Sequence, residues 1–175
     1  MSVKDRVEAI EADITTLELD AIVNAANEAL IRGGGVDGAI RRKAGHEMEE
    51  ELRQIGRCPT GKAVITRGAR LPVKFVIHTV APVFGRSGKT AKHEADLLAA
   101  CYANSLALAD EYSIRSLAFP CIGTGVYGWP AETAAEIAFR AVAEHLKGCE
   151  MQQRIVFCCF NATDHERYAR LIAAA

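Results

Sequence analysis

Apolar positions along the chain follow two periods. Short β-rich runs at 7–10, 21–24, 63–67, 75–80, 116–119 and 154–159 read as strands. Between the later ones lie helical patterns. In 91–111, Ala95, Leu98, Ala99, Tyr102, Leu106 and Ala109 share one face, and in 131–147 so do Ala134, Ile137, Ala138, Ala141, Val142 and Leu146. A last helix is predicted over about 164–174, with Asp164 as its N-cap. Segments 75–80 and 117–119 read as apolar runs rather than alternating ones, as expected for strands covered on both faces. The alternation predicts an α/β fold: a three-layer α/β/α sandwich around a central mixed, mostly parallel sheet. No linker, repeat or low-complexity tract interrupts it, so residues 1–175 are expected to form a single domain.

Composition narrows the functional classes. The formal net charge of −1 lacks the basic excess of a general phosphate-neutralising surface, so nucleic acid is not indicated as a partner. A small phosphate ligand remains possible, because backbone N–H groups alone can hold one. Six cysteines occur without a CxxC pair, and no HExxH helix is present, so no metal is expected. Residues 1–12 are polar and charged rather than apolar, and several cysteines sit in apolar surroundings, which points to the reducing cytoplasm. No apolar run is long enough to span a membrane, and nothing demands a second subunit, so a monomer is expected.

Glycine is spent unevenly. Gly33, Gly34, Gly35 and Gly38 crowd behind the second strand, and Gly123, Gly125 and Gly128 behind the fifth. Ligands of open α/β sheets sit beyond the carboxyl ends of strands, so these loops are where one is sought. In the first, three consecutive glycines let a ligand approach the main chain, and a helix starting near 36–37 offers free N–H groups to an anion. The alternative is a surface loop with Asp37 as an ordinary N-cap. The second loop holds a literal GxGxxG. It follows a late strand, however, and lacks the acidic residue about 20 positions on that a dinucleotide fold uses, which demotes a nicotinamide-dependent oxidoreductase. Two anion loops flanked by Tyr127 and Trp129 suit a diphosphate carrying ribose or base groups.

The strings Ala12-Asp13-Ile14-Thr15, Ile22-Val23-Asn24-Ala25-Ala26-Asn27, Gly33-Gly34-Gly35-Val36-Asp37-Gly38-Ala39-Ile40, Cys58-Pro59-Thr60-Gly61, Val76-Ile77-His78-Thr79-Val80 and Gly123-Thr124-Gly125-Val126-Tyr127-Gly128 occur in order across the chain. Together they resemble the MacroD-type macrodomains. The resemblance implies a cleft for ADP-ribose and a hydrolase acting on O-acetyl-ADP-ribose or mono-ADP-ribosylated proteins, without a cofactor; a non-catalytic ADP-ribose reader is the alternative. It also implies roles. Asp13 accepts from the adenine amino group beside the Ile14 backbone. Gly34, Gly35 and Val36 line one side of the diphosphate and distal ribose, while Ile122, Gly123, Thr124, Gly125, Val126 and Tyr127 cover the other. Phe160 and Asn161 lie near the adenosine half. Asn27 orients the distal ribose, and Asp37 positions or deprotonates the attacking water. Asn24, a position typical of a turn former, joins the ligand set in a supporting role. The chain departs from the family's usual glycines at Ala12, Arg32 and Ala81; Arg32 adds bulk and charge at the cleft edge.

Four further features have bland readings. His78 lies in an apolar strand and reads as a satisfied core histidine. Cys121 lacks a nucleophile elbow or evident partner and reads as packing. Tyr127 taken alone can also be read as a core aromatic. Arg41-Arg42-Lys43 reads as a solvated helix face.

Overall fold

The computed structural model describes residues 1–175. Six strands form one sheet: β1 (Val7–Glu11), β2 (Ala21–Ala25), β3 (Ala63–Arg67), β4 (Phe75–Thr79), β5 (Ser116–Phe119) and β6 (Arg154–Cys159). Their order is β1-β6-β5-β2-β4-β3. Every neighbouring pair is parallel except β3 against β4, so the sheet is mixed and mostly parallel, as expected. Six helices accompany it: α1 (Val3–Arg6), α2 (Gly35–Ala44), α3 (His46–Ile55), α4 (Ala91–Glu111), α5 (Ala131–Gly148) and α6 (Ala162–Ala173).

Successive strand side chains point to opposite faces, and the core divides accordingly. Ala21, Val23, Ile77, Leu117, Phe119, Ile155 and Phe157 pack on one face against Leu98, Tyr102 and Leu106 of α4, Ala138 and Val142 of α5, and Tyr168 of α6. Ile22, Val76, Ala118 and Val156 pack on the other against Ile40 and Ala44 of α2 and Met48 and Leu52 of α3. Burial on both faces explains why β4 and β5 lack the polar–apolar alternation of a half-exposed strand.

Three local expectations are corrected. The helix α2 begins at Gly35 with Gly34 as N-cap, so Asp37 lies inside the first turn rather than capping it. The cap of α6 is Asn161, whose side chain accepts from the Asp164 amide; Asp164 is therefore within the helix. The run 41–43 is not wholly solvated. Arg42 and Lys43 are exposed, but Arg41 is completely buried. The helix α3 was not predicted, because Glu and Arg outnumber its apolar positions Met48, Leu52 and Ile55.

The topology defines a crevice. β2 leads to α2 on the face covered by α2 and α3, whereas its neighbour β5 leads to α5 on the opposite face. The same divergence recurs between β1, which runs into a 3-10 turn at Ile14–Thr16, and β6, which runs into α6. Loops that part to opposite faces leave a gap above the carboxyl edge of the sheet, where ligands of such sheets bind. Between β1 and β2 lie three strand spacings, a span of about 14 Å. No helix is long and apolar enough to cross a membrane.

Candidate functional site

The loop after β2 forms one wall. Gly34 caps α2 without any side-chain hydrogen bond, and the amides of Gly34, Gly35 and Val36 donate to nothing in the chain. They occupy the positive end of the helix dipole. Gly38 keeps this loop against the helix: a Cβ there would lie 2.8 Å from the Gly33 carbonyl oxygen, closer than any real side chain.

The loop after β5 forms the facing wall. Gly123 has φ +86°, and a Cβ on it would meet the Trp129 ring at 2.7 Å, so only glycine fits. Trp129 is itself anchored. Its amide donates to the Gly123 carbonyl (3.0 Å) and its indole N–H to the Pro82 carbonyl (2.9 Å). The backbone N–H groups from Gly123 to Tyr127 have no partner within the chain. Two walls of unpaired amides thus border the same gap, which is the arrangement an anionic group requires.

At the distal end stands Asp37, which is almost completely buried. Its Oδ2 accepts from the Gly33 amide at 2.6 Å, and its Oδ1 accepts from Asn24 Nδ2 at 2.7 Å. Arg41 Nε lies 3.3 Å from Oδ1 in an ion pair without hydrogen-bond alignment. Asn27 is nearby: the point where a Gly33 Cβ would sit is 3.4 Å from Asp37 Oδ2 and 3.7 Å from Asn27 Nδ2. Asn27 also makes a turn, donating to the Ile31 carbonyl (2.8 Å) and accepting from the Ile31 amide (3.2 Å).

Asp37 belongs to a chain of polar groups that runs from the surface into the core. Arg32 pairs with Glu49 (3.2 Å), Glu49 with buried Arg41 (2.8 Å), and Arg41 with Asp37. Arg41 also donates to the Leu30 carbonyl at 3.0 Å. Beyond Asp37, Asn24 contacts His78 Nδ1 at 3.1 Å, and His78 Nε2 contacts Thr66 Oγ1 at 2.9 Å. Burial, with a smaller contribution from the Arg41 charge, pushes His78 down to about 3, so the ring is neutral. Its Nδ1 then accepts from Asn24, which leaves the Asn24 amide donating on both sides. His78 is therefore the satisfied core residue it was expected to be.

This network gives some of the candidate residues a structural task. Asn24 is fully buried, and its side chain holds Asp37 from beneath. The Ile122 side chain is buried in the core. Asn161 is exposed, but its side chain is engaged by Asp164 at both ends (2.9 and 3.2 Å). Arg41 and Glu49 were missed. Their signals were the four-residue spacing from Asp37 to Arg41, which places both on one helix face, and a helix hidden by its charge.

The other candidate residues are distributed along the gap and its rim. Asp13 follows β1 at the far end of the gap. Its Oδ1 accepts from the Thr15 hydroxyl (2.7 Å) and amide (2.9 Å), bonds that hold the carboxyl below its ordinary range, while Oδ2 has no partner. Ile14 is buried behind it. Thr124 ties its loop down through the Cys121 carbonyl, while Gly125 is open. Val126 and Phe160 are 97% and 90% exposed, two large apolar side chains standing uncovered on loops at the rim. Tyr127 is half-buried; burial, then the charges of Glu28 and Asp37, push its hydroxyl up and keep it protonated. Of the departures from family glycines, Ala81 is buried, Ala12 bonds to β6 through its amide, and Arg32 is spent on Glu49. The potential metal donors that do cluster, Asp110, His145 and Cys149, lie at the opposite, amino-terminal edge of the sheet. There they join Gln152 in a hydrogen-bonded knot between the ends of α4 and α5.

Comparison with known proteins agrees with this geometry. Residues 23–138 match the Macro domain family. A macro domain-containing protein of Ralstonia nicotianae is 57% identical, over 91% of this chain and 90% of its own. The O-acetyl-ADP-ribose deacetylase of Klebsiella pneumoniae is 50% identical, over 95% of this chain and 96% of its own. The solved macrodomain of Oceanobacillus iheyensis with ADP superposes with a TM-score of 0.92 at 35% identity, covering 99% of this chain and 94% of that one. The divergent glycine loops, the amides they leave free and these likenesses converge on one assignment: the chain belongs to the Macro domain family.

Proposed function

We propose that the protein binds ADP-ribose in the crevice and hydrolyses esters of its distal ribose, either O-acetyl-ADP-ribose or ADP-ribose carried on acidic protein side chains. These substrates share one chemistry, because each is a carboxylic ester of the same sugar. The observation that carries the reading is the convergence of Asp37 Oδ2 and Asn27 Nδ2 beside Gly33, at the end of two walls of unpaired amides. The diphosphate occupies those amides, Asp13 receives the adenine amino group on Oδ2, and Phe160 and Val126 cover the ligand. This places the distal ribose against Asn27, Asp37 and Tyr127.

In this arrangement Asp37 positions water rather than acting as a free base. Both of its oxygens already accept hydrogen bonds, and Arg41 holds it in place. A carboxylate has about four lone-pair sites, which leaves room for a water. The water oxygen bonds to the carbon under attack, the ester C–O bond breaks, and the water proton passes to the departing oxygen, with the ligand's phosphate assisting. Placement of this kind supplies several kcal/mol. The reading needs no cofactor or second subunit, and six free thiols support a reducing compartment such as the cytoplasm.

The test is release of free ADP-ribose from an auto-ADP-ribosylated target, alongside calorimetric binding. Asp37→Asn, which keeps the shape of the side chain but replaces one acceptor oxygen with a donor and so misplaces the water, is expected to lower turnover about 100-fold while affinity changes little. Unchanged turnover would sink the assignment of Asp37. Tight binding without any release by the wild-type protein would make this a reader of ADP-ribose.

A further inference from the structure

A cavity of about 510 Å³ opens beside the distal end of the crevice, and the proposed reaction leaves it unused. Glu28, Thr60, Arg86, Ser87, Lys89 and Tyr127 are among its walls. Two of these residues join it to the crevice. Tyr127 ends the run of free amides in the β5 loop and feels the charges of both Asp37 and Glu28. Glu28 directly follows Asn27. Whatever is attached to the distal ribose therefore has this space next to it.

The cavity is built rather than incidental. Phe84 donates its amide to the Tyr127 carbonyl at 2.9 Å, which ties the segment after β4 to the β5 loop. Glu94, a buried residue in the first turn of α4, accepts from the Gly85 amide at 2.8 Å and from the Ser87 hydroxyl. Ser87 in turn accepts from the Lys89 amide at 3.2 Å. The segment that presents Arg86 and Lys89 is thus fastened at both ends.

Its charge is unbalanced. The Glu28 carboxylate is committed: Oε1 accepts from the Thr60 hydroxyl (2.6 Å) and amide (3.0 Å), and Oε2 pairs with Arg57 at 3.4 Å. Arg86 and Lys89 pair with no carboxylate; the nearby Lys92 is taken by Asp96. Two uncommitted cations on a fixed segment present a field that an anionic group can neutralise.

We propose that this cavity is a subsite for the polypeptide carrying the ADP-ribosyl ester, and that Arg86 and Lys89 favour carriers with acidic residues flanking the modified side chain. The inference rests on the proposed function for the location of the distal ribose, and it adds a substrate class to it. O-acetyl-ADP-ribose leaves the cavity empty, whereas an acidic peptide fills it.

The experiment compares two peptides ADP-ribosylated on one glutamate, one with aspartates flanking it and one with asparagines, and uses O-acetyl-ADP-ribose as the carrier-free control. The wild-type protein is expected to show a KM about 3- to 30-fold lower for the acidic peptide, which is what two exposed ion pairs supply. In the double variant R86Q/K89Q that preference collapses, while hydrolysis of O-acetyl-ADP-ribose is unchanged. High salt should erase the preference in the wild type. Equal KM values for the two peptides, or equal losses on peptide and O-acetyl-ADP-ribose in the variant, would overturn the subsite. So would a stronger, Arg86- and Lys89-dependent preference for an ADP-ribosylated oligonucleotide. Should the wild type hydrolyse nothing, calorimetric Kd values for the same peptides still decide: tighter binding of the acidic one upholds the subsite while the hydrolase reading fails, and equal binding rejects the subsite.

Discussion

Replacing Gly38 by alanine sets two effects of known size against each other. In the interior of a helix the exchange normally stabilises by about 0.8–1 kcal/mol. Here the new Cβ would lie 2.8 Å from the Gly33 carbonyl oxygen and 3.2 Å from Arg42 Nη1. The Arg42 end is exposed and can swing away, but Gly33 is main chain. Carbon–oxygen contacts favour about 3.3–3.6 Å, so the loop must retreat by roughly 0.5 Å. Overpacking of this kind costs about 1–3 kcal/mol, which outweighs the gain in propensity and leaves a net loss of up to about 2 kcal/mol. For a chain of this size that lowers Tm by a few degrees. The functional effect should be larger, because the same retreat pulls the Gly33 amide from Asp37 Oδ2 and tilts the amides of 34–36 out of register with the facing loop. ADP-ribose affinity measured by calorimetry is expected to fall at least about tenfold, since a 1.4 kcal/mol loss suffices for that. Gly148→Ala is the control, because a Cβ there meets nothing within 4 Å; it should be neutral or stabilising and leave affinity alone. If Gly38→Ala matched Gly148→Ala in both Tm and affinity, the claim that loop position governs the site would be wrong.

Three further substitutions probe separate parts of the argument. Arg41→Met leaves Asp37 buried without its cation, and breaking such a pair costs about 3–5 kcal/mol; thermal unfolding that showed no loss would contradict the network. Phe160→Ala removes a ring that is 90% exposed, so Tm should hold while ADP-ribose affinity drops severalfold, and an equal loss of both would refute its role as a cover. His78 makes stability depend on acid. The folded protein keeps it neutral down to about 3, whereas its ordinary value is 6.5. Between those values the unfolded chain binds the extra proton, so stability falls as pH drops through that window, by about 1.4 kcal/mol per unit. Denaturant unfolding at pH 7 and pH 5 in wild type and His78→Gln checks this; equal acid sensitivity in the two would exclude His78 as the source.

Much of this was legible in the sequence because the signals are local. Six strands are recognisable as short β-rich runs, and the layered α/β arrangement follows from strands that are covered on both faces. The glycines of 33–38 and 123–128 mark the crevice walls for a similarly local reason: a Cβ on Gly38 would press on the Gly33 carbonyl, and one on Gly123 would press on the Trp129 ring. What could not be read were consequences of packing. Asn24 looks like a turn former until its strand is buried on both faces. Arg41 looks like part of a basic run until α3 folds back and brings Glu49 to within 2.8 Å of it. Asn161 and Asp164 compete for one cap, and only backbone geometry shows that Asn161 takes it.

The buried charges explain how an otherwise mobile stretch of glycines is held. Gly33, Gly34 and Gly35 have no side chains with which to fix themselves, and ordering them costs more backbone entropy than ordering any other residue. The restraint comes from below. Asp37 grips the Gly33 amide, Arg41 and Asn24 grip Asp37, and Glu49 and His78 grip those in turn. A buried carboxylate with this many partners adds little net stability compared with apolar packing. Its value lies in orientation, because it aims a row of bare amides at one point in space while leaving them free of Cβ atoms that would block a phosphate. The residue expected to place the reactive water is thus also the one that shapes the binding loop. Substitutions at Asp37 that abolish its hydrogen bonds should therefore impair affinity as well as turnover, whereas Asn, which can still accept from Gly33, should separate the two.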